Sequence, residues 1–257
     1  MVSTTPSRNA AATIKLLDRW RPIWHVAGSL FLHAFDGDAG IDQRMKSFLA
    51  LSSDGLHWQR LRQSPFLEPG FSGRGFDERS VLACGTWLPL DERRIVLFCL
   101  GRGQPAVGDD PLSAVGRLAA MTLRRDGFVA ATPGQRGPTV VRDNATGEQR
   151  QVPAGDASGY LLTREFVMPA GGLTVNADAR RGAVRVEVVE RATTRPYAGF
   201  ARGDCLPLAG DEVAAPARWK NAEIATLAGK PVMLRFVLEP EARLFAVTFG
   251  RENDTGK

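Results

Sequence analysis

Cysteine and histidine are scarce in this chain and scattered where they occur. The three cysteines, Cys84, Cys99 and Cys205, are odd in number and form no CxxC pair. That argues against a disulfide framework or a zinc site, and suits buried thiols in a reducing, cytoplasmic setting. The three histidines, His25, His33 and His57, show neither HxH nor HExxH spacing, so no metal and no cofactor is expected. No GxSxG elbow, Walker loop or dinucleotide fingerprint with a following helix is present, which removes hydrolase-elbow, nucleotide-triphosphate and hydride-transfer chemistry. No run approaches the roughly 18 apolar residues of a membrane span. The first thirty residues also lack the continuous apolar core of a signal peptide, being broken by Lys15, Asp18, Arg19 and Arg21. An excess of one charge is missing too. The net +5 is spread evenly over both halves, without the local basic cluster that nucleic-acid binding needs.

What the sequence has is room for a core and many strand signals. Its 257 residues are 44% hydrophobic and 24% charged, a globular composition. Alternating or apolar runs bounded by Gly, Pro, Asp or Asn occur at Val26–Phe35, Ser47–Ser52, Ser80–Leu88, Arg93–Leu100 and Val115–Leu123. A second series lies at Leu161–Val167, Gly172–Ala177, Ala183–Val189, Asp211–Trp219, Pro231–Leu238 and Leu244–Phe249. These predict an all-β protein. The exception is a helical stripe of Ile14, Leu16, Leu17, Trp20 and Trp24, which predicts a short amphipathic helix ended or bent by Pro22.

Residues 134–158 are rich in proline, glycine and charge and read as a linker or long loop. The expected organisation is an N-terminal extension at 1–25, a β region at 26–133, the linker, and a C-terminal β region at 159–257. In that last region Val184, Val186 and Val188 alternate with Arg185 and Glu187, and Val232, Leu234, Phe236 and Leu238 alternate with Met233, Arg235 and Val237. Several antiparallel strands of this kind fit a two-layer sandwich.

The C-terminal motifs run in a particular order: Gly172-Leu-Thr-Val-Asn176-Ala-Asp178, Gly182-Ala-Val-Arg-Val-Glu187, Gly199-Phe, Asp204-Cys205, Gly210-Asp211, Arg218-Trp219-Lys220, Leu227-Ala-Gly229-Lys-Pro231 and Leu234-Arg-Phe236. This series resembles the terminal β-sandwich of a group of bacterial glycosidase-like proteins. In that group the sandwich follows a five-bladed propeller similar to those of glycoside hydrolase families 32 and 43. Read by their own chemistry, Asn176, Asp178, Asp204 and Asp211 sit at strand ends, where such side chains bind nearby backbone. A carbohydrate or calcium contact is the other reading. Trp219 reads as a core aromatic in preference to a sugar platform.

Two N-terminal features are similar to the same group. The segment Ser53-Asp54-Gly55-Leu-His57-Trp58 is a tight hairpin turn like that of sugar-active propellers, with Asp54 tying the turn. Leu123-Arg-Arg125-Asp126-Gly127-Phe128 looks like the close of the last propeller strand. Between them, Phe71-Ser-Gly-Arg74-Gly-Phe-Asp77-Glu78-Arg79-Ser80 sets two carboxylates and two arginines in a glycine-rich loop. Glycoside hydrolysis needs two carboxylates about 5–10 Å apart across the scissile bond. Adjacent residues on an extended chain face opposite ways, so Asp77 and Glu78 do not make that pair alone.

A propeller blade takes about 40–50 residues, so the residues before the linker hold two to three blades. The resemblance therefore implies a partial β-propeller followed by an antiparallel β-sandwich, truncated at the propeller end. The group's nucleophile and acid motifs do not occur. The expectation is a glycoside hydrolase-like protein of carbohydrate processing without an identifiable acid and nucleophile. Asp77 and Glu78 are its candidate catalytic carboxylates, Arg74 and Arg79 their neighbours in substrate binding, and Trp58 and Trp87 its stacking surfaces for an oligosaccharide. The alternative is a non-catalytic carbohydrate-binding or interaction module. Open sheet edges would favour self-association.

Overall fold

A computed structural model describes residues 13–15, 28–36, 44–52, 56–60, 65–70, 75–103, 116–133, 139–142, 149–152 and 158–250. These residues form strands, turns and one 3-10 turn at Ile224–Leu227, with no α-helix among them. The strands are β1 (Thr13–Lys15), β2 (Gly28–Asp36), β3 (Arg44–Ser52), β4 (Gln59–Arg60), β5 (Ser80–Pro89), β6 (Arg94–Arg102) and β7 (Arg117–Arg124). They continue with β8 (Thr139–Arg142), β9 (Gln149–Val152), β10 (Gly159–Leu162), β11 (Phe166–Val167), β12 (Leu173–Val189), β13 (Leu208–Pro216), β14 (Pro231–Leu238) and β15 (Arg243–Phe249). The protein is all-β.

The chain divides into two compact units, Val26–Phe128 and Met1–His25 with Val129–Lys257. The first is one six-stranded sheet in the order β2-β3-β5-β6-β7, with β4 also on β3. β2 and β3 pair antiparallel over their whole length, and β5, β6 and β7 form an antiparallel meander. The two groups meet through a single parallel pairing, Met45 with Ser80. Alternation sends Ile95, Leu97 and Cys99 of β6 inward with Val81 and Ala83 of β5. Between Ala83 and Trp87 the register shifts, leaving extra residues on β5 opposite β6.

The second unit is a seven-stranded antiparallel sheet in the order β1-β15-β12-β14-β10, with β11 on β14 and β13 on β12. β12 organises it. Its first half lies between β13 and β15 and its second half pairs with β14. Val184, Val186 and Val188 of β12 share one buried cluster with Val232, Leu234, Phe236 and Leu238 of β14. Each such side chain contributes about 1.5–3 kcal/mol when fully buried. Trp219 belongs to this core, edge-on to Phe200 at 5.1 Å, and donates its ring N–H to the Val186 carbonyl.

Four expectations need correction. Thr13–Lys15 is a strand on the edge of β15, not helix; partnering by a neighbouring edge outweighs the local stripe, and the stripe's other residues lie outside the described residues. Gly172–Ala177 and Ala183–Val189 are one strand, because 178–182 stay extended through a register shift on β13. Asn176, Asp178 and Asp211 therefore lie within strands and not at strand ends. Residues 134–158 contain the β8–β9 hairpin, whose strands of four residues each are too short to show an apolar period.

Candidate functional site

The loop that carries the predicted carboxylates is tied down by main-chain hydrogen bonds at its exit. Arg79 donates its N–H to the Arg102 carbonyl at 2.9 Å and accepts the Met45 N–H at 3.1 Å, continuing the ladders on both sides of β5. One turn earlier, the Asp77 carbonyl accepts the Gly70 N–H at 2.9 Å. The loop lies directly on the end of β6, where the sequence supplies glycine. A Cβ on Gly103 would stand 2.3 Å from the Gly75 carbonyl oxygen, and one on Gly101 would stand 2.5 Å from the Phe76 ring and 3.0 Å from the Asp77 Cβ. Contacts this close exclude any side chain at either position.

This seating separates the two carboxylates. Asp77 is 0% exposed, whereas Glu78 faces solvent. Its Oε1 folds back to 3.1 Å from the point where a Gly75 Cβ would lie. Arg79 is half-buried and Arg74 lies outside the described residues. Asp77 instead shares its surroundings with two thiols. Burial raises the Cys99 thiol above its ordinary pKa, and the charges of Cys84 and Asp77 push it further the same way. Cys99 thus stays protonated, a structural thiol and not a nucleophile. Only the inward alternation Ile95, Leu97, Cys99, Gly101 signals this neighbourhood in the sequence.

The two tryptophans lie elsewhere. Trp87 is seven residues beyond Ser80 on β5, about 20 Å along an extended strand, so the carboxylates and Trp87 occupy opposite ends of that strand. Trp58 immediately precedes β4, whose Gln59 pairs with Leu51. Trp58 and Trp87 are each 40% exposed, and Leu56, Leu88 and Leu90 are exposed as well.

The other polar candidates are tied to the fold. Asp126 adopts a left-handed φ of 54°, and the next N–H, that of Gly127, donates back to the Arg124 carbonyl, so this residue makes a turn. Asp204 accepts the Ala201 N–H at 3.1 Å. Asp178 takes a bidentate bond from Arg180 at 2.9 and 2.7 Å. Asp54 lies outside the described residues. No group of three His, Cys, Asp or Glu side chains among the described residues is placed to hold a metal ion. A charged cluster that sequence reading missed sits on the second unit. Glu187, nearly buried, accepts the Arg235 Nε–H and the Arg202 backbone N–H.

Comparison with protein-family models, curated proteins and solved structures finds no significant match to this chain.

Proposed function

We propose that the chain is a glycoside hydrolase-like protein of carbohydrate processing, a partial propeller followed by a β-sandwich, that binds oligosaccharide without a complete two-carboxylate hydrolytic centre. The observation that carries this reading is the build of the 26–128 unit. Two antiparallel groups, β2-β3-β4 and β5-β6-β7, stand side by side and touch through one parallel pairing. Propeller blades are antiparallel meanders repeated around an axis, and the β5-β6-β7 meander has that local form. The antiparallel sheet of β10 to β15 then follows it in the chain, as the sandwich follows the propeller in the resembled group.

Binding is favoured over hydrolysis by the placement of Asp77. A carboxylate with no solvent exposure is out of reach of a glycosidic oxygen, and Glu78 alone does not supply the facing pair that either stereochemical course needs. Trp58 and Trp87 offer half-exposed indoles, and an indole face packs against the C–H face of a sugar ring. The ligand is a β- or fructo-type oligosaccharide.

Calorimetric titration with inulin-type and cello-oligosaccharides, beside a reducing-sugar assay, tests this. The expected result is saturable binding of one series without sugar release, at least tenfold weaker in Trp58→Ala or Trp87→Ala and unchanged in Glu78→Gln. Sugar release abolished by Asp77→Asn or Glu78→Gln would restore an enzyme. The absence of binding by either series would remove the carbohydrate reading of these tryptophans.

A further inference from the structure

The face of the 129–257 unit turned away from its core carries an aromatic ring beside a charged array. Alternation sends Val232, Leu234, Phe236 and Leu238 of β14 into the core, so Met233, Arg235 and Val237 lie on the opposite face. On β12 the same sorting leaves Arg185, Glu187 and Val189 on that face. Register then builds two rows across three strands. Tyr160, Val237 and Arg185 form one, and Leu162, Arg235 and Glu187 form the other. Val237 is buried, and its lateral neighbours Tyr160 and Arg185, with Arg235 and Glu239 before and after it, are all long side chains.

Three guanidinium groups here share two carboxylates. Arg235 donates through Nε to Glu187, which also accepts the Arg202 N–H at 2.8 Å. Glu239 Oε1 lies 3.6 Å from Arg185 and 4.0 Å from Arg202. Arg185 also donates to the Cys205 carbonyl at 2.9 Å. An arginine has five N–H donors, and among the described residues Arg235 spends only its Nε–H, leaving both terminal amino groups open. The Tyr160 ring is 64% exposed, and its hydroxyl has no protein partner among the described residues. Tyr160 and Arg235 are diagonal neighbours on adjacent strands, about 7–8 Å apart.

We propose that this face binds an oligosaccharide bearing a carboxylate, such as a uronic-acid chain. The Tyr160 ring packs on the apolar face of one sugar. The open amino groups of Arg235, oriented by Glu187, grip the carboxylate in a bidentate pair. Arg185 and Glu239 meet neighbouring hydroxyls. The excess of one positive charge selects an acidic chain over a neutral one. The proposal rests on the carbohydrate reading above but uses different residues on a different unit.

Titration of the full chain with oligogalacturonate and with its methyl ester separates the two. The acid is expected to bind at least tenfold more tightly than the ester. Tyr160→Ala should weaken acid binding about tenfold while Tyr160→Phe stays near wild type, since the ring and not the hydroxyl makes the platform. Arg235→Lys, which keeps a partner for Glu187, should weaken the acid severalfold and leave the ester unchanged. The Trp58→Ala/Trp87→Ala double variant should bind oligogalacturonate as wild type does. Absence of oligogalacturonate binding, equal affinity for acid and ester, indifference to Tyr160→Ala, or equal binding of inorganic polyphosphate would each overturn the proposal. Loss of neutral-sugar binding in the tryptophan variants with Tyr160→Ala silent would leave the 26–128 site standing and this one refuted.

Discussion

The Ser47 hydroxyl donates to the Val81 carbonyl at 2.9 Å and accepts the Ala83 N–H, also at 2.9 Å. Main-chain pairing of β3 with β5 is confined to Met45 and Ser80, so a side chain takes over where the two strands part. Ser47 and Val81 are both fully buried, and neither main-chain group can turn to water in compensation.

Ser47→Ala removes both bonds and leaves a buried carbonyl and a buried N–H unsatisfied. Leaving one such group unmet costs about 1–3 kcal/mol. The unfolding free energy from a urea titration should fall by an amount in that range or slightly above it, with the slope of the transition unchanged. A shift below about 0.5 kcal/mol, the ordinary scatter for surface substitutions, would show that this bridge holds nothing.

Gly103→Ala forces a methyl group against a backbone oxygen instead of a movable side chain. Overpacking of this kind costs about 1–3 kcal/mol. The local consequence is the more informative one, because the loop from Gly75 to Arg79 must lift. Hydrogen exchange at Gly70 and Arg79, whose amides are donors in that loop, should quicken before the rest of the sheet responds. Unchanged protection of both amides would contradict the seating.

Glu187 and Arg235 should show strong coupling. Replacing Glu187 by leucine strands a guanidinium that is 27% exposed, and removing Arg235 strands a carboxylate that is 8% exposed. Breaking a buried pair from one side costs about 3–5 kcal/mol, while replacing both partners by apolar groups is often neutral. Partial exposure brings the single variants below that range, to about 2–3 kcal/mol. The Glu187→Leu/Arg235→Leu double variant should recover most of the loss in a denaturation cycle. Simple additivity of the two losses would count against a coupled pair.

The thiols should separate in reactivity and bend the alkaline limb of stability. Burial raises both the Cys99 and the Cys205 thiols, whereas Cys84 is partly exposed. One fast equivalent with a thiol reagent at pH 8 is expected in native protein, and three after denaturation. The unfolded chain releases these protons near the ordinary thiol value of 9.0, while the folded chain keeps them. The unfolded state then binds fewer protons, and unfolding free energy falls as pH rises through 9. Cys205→Ala should flatten that fall; an alkaline limb identical to wild type would assign it to other groups.

Strand identity was legible where one face is buried. The run expected at Pro231–Leu238 matches β14, and the alternation of Val184, Val186 and Val188 locates the buried side of β12. Asp77 and Glu78 lie in the turn ahead of β5, so their opposite exposure comes from the seating of that turn on β6 and not from strand alternation. What could not be read is whatever depends on a distant partner. β1 takes its conformation from β15, and the join between Glu187 and Arg235 spans 48 residues.

The pairing of β1 with β15 joins residues more than 230 positions apart. Such a contact carries a high loop-closure cost and forms late. On a ribosome β1 emerges long before β15 and must wait for it, with residues 26–128 made between them. The outer edge of β15 is then the final part of the sheet to be covered, and a chain stalled before Phe249 would leave its neighbours exposed to misassembly.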